Sequence, residues 1–388
     1  MSRFLFVMPP FVGHINPAVA VARALGQRDH ETAWVGFPDP LRGMLPPGAT
    51  LFPVQRSEPH AVPPQRPGTQ RGFAALRSLW QDALIPLAET MVPTVEEAVE
   101  RFRPTVLVAD QQALAGAVVG RRRGLTWATS ASSSAELTNS VHQLPRVDGW
   151  IRGLLTELQQ RGGIADADTH RSDLRFSEHL TLVYSVPELV GRGDFPPHYA
   201  LVGPAITPRP PVSDFPWHRL DAHRSRVLVS LGTLSGSAGT RFLRTIARVS
   251  ELLAERVQFI VADPAGALPG PPRGLLTAPF LPQLELLERV DAVLCHAGHN
   301  TVCETLAAGL PLVVAPIRDD QPVVAEQVVA AGAALRVPFA RATPDAVATA
   351  VSAVLDDPSF RQAASGIQQA FHSAGGASAA AQHLERLL

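Results

Sequence analysis

Lysine is absent from this chain of 388 residues: the 34 Lys+Arg positions are all arginine. Without a lysine amine there is no Schiff-base chemistry and no phosphate-binding lysine of a P-loop, so two large enzyme classes fall away. Cysteine is nearly absent too. Cys295 and Cys303 are the only two, too few for a disulfide framework and in keeping with a reducing compartment. Charge is sparse and balanced, with 18% charged residues and a net charge of −1. The two signs are mixed along the chain, which leaves no footprint for nucleic acid or an anionic membrane. Long apolar runs are missing as well. The first, residues 4–8, stops at Pro9-Pro10, unlike the core of a secretory signal, and no stretch is long and apolar enough to span a bilayer. The expectation is a cytoplasmic protein, monomer or homodimer, that meets small molecules.

What is present is length and periodicity. The chain exceeds what one hydrophobic core usually serves. Short β-type runs alternate with longer helical patterns: residues 4–8 then 18–27, 32–35, 106–109 then 114–123, and 126–129. The pattern restarts at 227–230 then 240–255, 258–261, 292–295 then 301–308, and 312–315 then 322–331. Such alternation predicts parallel sheets wrapped by helices, hence an α/β protein of two tandem doubly wound, Rossmann-like domains. Residues 203–214 hold Pro204, Pro208, Pro210 and Pro211, a linker composition. The expected division is 1–205, a linker at 206–224, and 225–388, with a last helix at about 371–388 that packs back on the first domain. Two irregular stretches, 53–72 and 130–173, interrupt the first half where doubly wound domains build ligand specificity.

Ligands of open α/β sheets bind where strands end and helices begin. The first such junction reads Pro9-Pro10-Phe11-Val12-Gly13-His14. Imidazole is the side chain suited to taking a proton at neutral pH, so His14 is a candidate general base. Asp110 ends the next apolar run and can orient that imidazole and stabilise its cation. Asp110 reads equally well as a cap on the following helix, and the sequence does not choose. In the second half, Leu231-Gly232-Thr233 is a small-residue turn after a strand that can approach an oxyanion. Residues 295–301 join a strand to a helix whose unpaired N–H groups suit a diphosphate, with His296, Asn300 and Thr301 as added donors. Glu304, one turn inside, is placed to accept from ribose hydroxyls.

At these residues the chain resembles the bacterial natural-product members of glycosyltransferase family 1. The match runs through Phe280-x-Pro282-Gln283, His296-x-Gly298-x-Asn300-Thr301-x-x-Glu304, Gly309-x-Pro311, Pro316 and Asp320-Gln321. It resembles that family's nucleotide-sugar signature in order and nearly in spacing. Gly13-His14 and Asp110 resemble the family's base and orienting acid, and residues 230–233 its diphosphate loop. The resemblance implies a GT-B architecture and an inverting, metal-independent hexosyltransferase without cofactor. It implies a UDP- or TDP-linked sugar as donor and a small, mainly apolar acceptor of polyketide, terpenoid, carotenoid or flavonoid class. It places Phe280 and Gln283 near the base, Glu304 on ribose, and Gly232, Thr233, His296, Gly298, Asn300 and Thr301 around the phosphates. Asp320 and Gln321 would hold sugar hydroxyls. The sequence departs from the family at Phe280 and at His299, where tryptophan is common.

Other readings remain open. A nucleotide-sugar epimerase of similar fold would also need a diphosphate site, and a non-catalytic protein that sequesters a nucleotide sugar would need no base. Asp166-Ala167-Asp168 spells the Asp-x-Asp of metal-dependent glycosyltransferases but has no strand before it. Cys295, His299 and Cys303 recur at spacings zinc accepts, yet fall on a strand and a helix expected to be buried. Trp80, Trp127 and Trp150 read either as acceptor-pocket lining or as ordinary packing.

Overall fold

The computed structural model describes residues 1–55, 72–137, 145–164, 173–209, 214–232, 236–264, 266–268, 270, 272 and 274–388, with side chains left undescribed at 236–238. The chain divides into two compact units. Unit 1 comprises Met1–Val186, Arg192–Thr207 and Ala374–Leu388, and unit 2 comprises Pro187–Gly191 and Pro208–Ser373.

Unit 1 is built on a seven-stranded sheet in the order β3-β2-β1-β4-β5-β6-β7. Its strands are β1 (Arg3–Val7), β2 (Glu31–Gly36), β3 (Thr50–Pro53), β4 (Val106–Asp110), β5 (Trp127–Ala131), β6 (Leu180–Val183) and β7 (Tyr199–Leu201). Every pairing is parallel. The near-continuous apolar runs follow from this, since a parallel sheet covered on both faces buries both sets of side chains. On β1, Leu5 and Val7 enter one core with Leu107, Ala109 and Trp127. Phe4 and Phe6 enter the opposite one with Trp34, Val106 and Val108. Of the helices α1 (Val12–Gly26), α2 (Pro38–Met44), α3 (Phe73–Arg77), α4 (Ile85–Phe102), α5 (Leu114–Arg122) and α6 (Pro145–Arg161), α1, α4 and α5 supply much of the cover, while α7 (Pro187–Val190) falls to unit 2. Trp80 and Trp127 are buried core residues, and Trp150 is partly buried against the same cluster.

The face around α1 is closed from far along the chain. The last helix, α14 (Gly376–Glu385), buries Ala380, Ala381 and Leu384 in the cluster that holds Ala18, Val21 and Leu25 of α1. Its entry is a glycine pair with positive φ at Gly375 and Gly376. The Gly376 N–H donates to Val202 O at 2.7 Å. A Cβ on Gly376 would lie 2.8 Å from Pro204 O, so only glycine fits this approach.

Unit 2 carries a six-stranded sheet in the order β10-β9-β8-β11-β12-β13. These strands are β8 (Ser225–Ser230), β9 (Val257–Ala262), β10 (Leu275–Ala278), β11 (Ala292–Cys295), β12 (Leu312–Val314) and β13 (Ala334–Arg336), again all parallel. Helices α8 (Gly236–Leu252), α9 (Gln283–Leu287), α10 (His299–Ala307), α11 (Gln321–Ala330), α12 (Pro344–Asp356) and α13 (Pro358–Ala374) flank it. Each sheet reverses its winding once, between β1 and β4 in unit 1 and between β8 and β11 in unit 2. Those reversals open the crevices in which doubly wound sheets bind ligands.

Candidate active site

Both reversals are lined by the residues singled out from the sequence. In unit 1, helix α1 begins at Val12 rather than at residue 18, so His14 sits in its first turn and not in a loop. Asp110 is the last residue of β4, the strand paired with β1. The two side chains meet, with His14 Nδ1 2.9 Å from Asp110 Oδ1. Asp110 is fully enclosed, while the His14 ring remains 17% exposed. Asp110 Oδ1 also accepts from the Gln112 N–H at 2.9 Å, so the capping and the orienting roles coexist in one carboxylate.

A third residue completes the group. Ser132 lies just past β5, and the register that pairs Asp110 with Ser130 carries Ser132 beyond the end of the neighbouring strand. Its hydroxyl donates to Asp110 Oδ2 at 2.7 Å and lies 2.6 Å from His14 Nδ1. Because the single hydroxyl proton goes to the carboxylate, Nδ1 carries the proton shared between Ser132 Oγ and Asp110 Oδ1. In the neutral ring Nε2 is then the basic nitrogen. Sequence reading missed Ser132 within the run 130–134, because a one-dimensional pattern does not say which serine stands beside β4. Nearby, the buried Arg175 pairs with Asp173 and has Glu136 Oε2 at 3.7 Å from its Nη1. Burial pushes the Glu136 carboxyl up from its ordinary value. Residues 56–71, 138–144 and 165–172, with most of the first irregular stretch and with Asp166 and Asp168, lie outside the described residues.

In unit 2 the β11–α10 junction is tightly built. Ala297 has φ of 63°, in the left-handed region unfavourable to a residue with a Cβ. The His296 ring fills the space over two glycines: a Cβ on Gly298 would lie 2.5 Å, and one on Gly232 2.8 Å, from its Nε2. His296 Nδ1 lies 3.2 Å from Ser230 O. A carbonyl only accepts, so Nδ1 carries the proton. Burial holds the ring below the ordinary histidine value. In that neutral form Nε2 accepts rather than donates, and the added donor expected of His296 requires a second proton. Gly298 is the N-cap of α10 and, as glycine, brings no side chain of its own to that end. Asn300 and Thr301 lie in its first turn. Thr233 lies outside the described residues.

Phe280 follows β10 and is 71% exposed, an open aromatic face. Gln283 is turned inward: Ser230 Oγ donates to its Oε1 at 3.3 Å, and its Nε2 donates to Glu304 Oε2 at 2.6 Å. Glu304 is 5% exposed and its Oε1 is paired with the Arg209 guanidinium. Burial raises the Glu304 carboxyl, against the pull of Arg209 and Gln283. Asp320 lies close enough to His296 for its charge to act on that ring. Gln321 is tied to its own turn, its Oε1 accepting from the N–H groups of Ile317 and Arg318 at 2.9 and 3.1 Å. Its carbonyl oxygen is thereby used within the turn. Among the described residues, no group of three or more His, Cys, Asp or Glu side chains could hold a metal ion.

Residues 243–387 match the C-terminal domain family of erythromycin biosynthesis protein CIII-like proteins. The chain is 28% identical over 398 residues to 4′-demethylrebeccamycin synthase of Lentzea aerocolonigenes, covering 93% of each protein. It superimposes on the glycotransferase of kitacinnamycin with a TM-score of 0.79 at 25% identity, covering 100% of this chain and 99% of that one. On the spinosyn rhamnosyltransferase complexed with thymidine diphosphate, the TM-score is 0.77 at 21% identity, covering 99% and 100%, a likeness of fold. With two parallel doubly wound sheets and relatives along its whole length, the chain is a glycosyltransferase of GT-B architecture and resembles the bacterial natural-product members of glycosyltransferase family 1.

Proposed function

We propose that the protein is an inverting hexosyltransferase that moves a sugar from a UDP- or TDP-linked donor to a hydroxyl of a small, mainly apolar natural product. The observation that carries this reading is the His14 group. Asp110 and Ser132 fix the proton on Nδ1, which makes Nε2 the base and sets a carboxylate behind the imidazolium that forms. An acceptor hydroxyl is a poor nucleophile until its proton is taken. His14 takes that proton as the oxygen attacks the anomeric carbon, and one displacement inverts the configuration. Unit 2 serves the donor: Phe280 stacks on the base beside Gln283, and Glu304 accepts from ribose. The start of α10, with Gly232, Thr233, His296, Gly298, Asn300 and Thr301, holds the diphosphate and stabilises it as it leaves. Asp320 and the Gln321 amide take sugar hydroxyls. No metal enters these steps.

The names of the relatives support an acceptor from natural-product metabolism, and the thymidine diphosphate bound by the spinosyn enzyme supports a TDP-linked sugar among the donors. The test is a matrix of nucleotide sugars against polyketide, terpenoid, carotenoid and flavonoid acceptors, read by mass spectrometry and by the anomeric coupling of the product. The expected result is an acceptor-dependent glycoside of inverted configuration, formed equally well with a chelator present. His14→Ala is expected to lower turnover by about 10²–10⁴-fold with little change in nucleotide affinity. A retained configuration, or His14→Ala turning over an aliphatic alcohol at the parent rate, sinks the mechanism. Interconversion of the donor without an acceptor points instead to an epimerase.

A further inference from the structure

Glu304 has a protein partner on each of its two carboxylate oxygens. It is almost buried, Gln283 Nε2 donates to its Oε2 at 2.6 Å, and Arg209 is paired with its Oε1. A buried carboxylate is costly without a partner, and this one has a cation on one oxygen and an amide on the other. The two partners differ in kind. Gln283 is itself held by Ser230 Oγ, so it belongs to a fixed scaffold. Arg209 stands on the chain just past the Thr207–Pro208 unit boundary, with its side chain 34% exposed, and a long arginine stem rotates easily. The scaffold holds the carboxylate in place, and the arginine covers it.

We infer that Arg209 is a latch on the nucleotide site: it occupies the Glu304 oxygen that a ribose hydroxyl needs, and a donor binds only by exchanging the guanidinium for that hydroxyl. This rests on the proposed contact between Glu304 and ribose. The exchange gives up one charge-assisted hydrogen bond, so the latch weakens nucleotide binding by roughly tenfold. It also sets a selectivity. A ligand that offers a ribose hydroxyl recovers part of what is lost, while one that offers only phosphates neither needs the oxygen nor disturbs the arginine. Arg209 is therefore a specificity-determining residue, acting through Glu304.

The experiment is calorimetric titration of the full-length chain with UDP, 2′,3′-dideoxy-UDP and inorganic pyrophosphate, each variant being checked by thermal melting. Arg209→Ala is expected to tighten UDP roughly tenfold and to leave the dideoxy nucleotide and pyrophosphate unchanged. Arg209→Gln, which keeps a donor but removes the charge, should give a smaller gain in the same direction, so the idea stays testable if the alanine variant folds poorly. Glu304→Gln is expected to weaken UDP and to spare the dideoxy nucleotide. If Glu304→Gln weakens UDP in this way but neither Arg209 variant tightens it, the latch is wrong and the ribose contact stands. If Glu304→Gln leaves UDP unaffected, the ribose contact fails and the latch falls with it. Weaker UDP binding in both Arg209 variants means that the arginine assists the nucleotide, which overturns the proposal.

Discussion

Three side chains share two protons at the base of unit 1, and their order of importance follows from what each does. Ser132 and Asp110 both contact His14 Nδ1, and in the proposed mechanism Asp110, which alone carries charge, stabilises the imidazolium more than a hydroxyl can. Ser132→Ala is expected to lower kcat by about tenfold, well short of the loss from removing His14, and to shift the acidic limb of the kcat–pH profile with KM for the donor unchanged. A profile identical to the parent enzyme's would reduce Ser132 to packing. At His296 the neutral ring and the anionic ligand disagree: Nδ1 is committed to Ser230 O, and burial keeps the second proton off Nε2. In the proposed site a diphosphate over Nε2 raises its affinity for a proton, so binding is expected to take up a proton and to strengthen as pH falls through the range in which the bound ring is protonated and the free ring is not. Titration in two buffers of different ionisation enthalpy reads the uptake directly. It should vanish in His296→Asn, and equal heats in the two buffers for the parent protein would refute it.

Elements were legible in proportion to their length and apolar content. The strands β1, β4, β8 and β11 that flank the winding reversals are near-continuous apolar runs, and the sequence shows them to within a residue or two. The strands β3, β6, β7, β10 and β13 have three or four residues each, as β11 and β12 do, but their apolar runs are interrupted or bounded by Thr50 and Pro53, Thr181, Tyr199, Thr277 and Arg336, and they lie away from the reversals. Helix α1 started earlier than its apolar pattern, because its first turn carries Gly13 and His14, which do not belong to the apolar stripe. The candidate site was legible where it follows from strand ends, as at His14, Asp110 and His296. It was not legible where it depends on which neighbour a side chain turns to: Ser132 beside Asp110, Gln283 on Glu304 and the carbonyl of Gln321 in its own turn. The β11–α10 turn offers a check at this scale. Gly298→Ala drives a Cβ to within 2.5 Å of the His296 ring, so nucleotide diphosphate affinity should fall at least tenfold by calorimetry, while the melting of unit 1 is unmoved.

At the scale of the molecule, neither unit is one continuous stretch. Unit 1 takes back residues from 374 onward, so α14 is a structural part of the N-terminal sheet although it follows the whole of unit 2 in sequence. Leu384, fully buried there, should cost about 2–5 kcal/mol of unit 1 stability when cut to alanine, lowering that transition by several degrees and leaving the unit 2 transition in place. Excised pieces should follow the same division. Residues 208–373 are expected to give a soluble nucleotide-binding fragment. Residues 1–207 alone should melt lower and bind a hydrophobic dye, both reversed by joining 374–388 through a flexible linker, and a 1–207 fragment as stable as the joined one would contradict the division. The same arrangement orders events at the ribosome. The strands of the first sheet leave the exit tunnel early, but the surface that receives Ala380, Ala381 and Leu384 waits for the synthesis of every residue of unit 2. A nascent chain at that stage presents an uncovered apolar face for the whole interval, and a chaperone that binds such faces has its opportunity there.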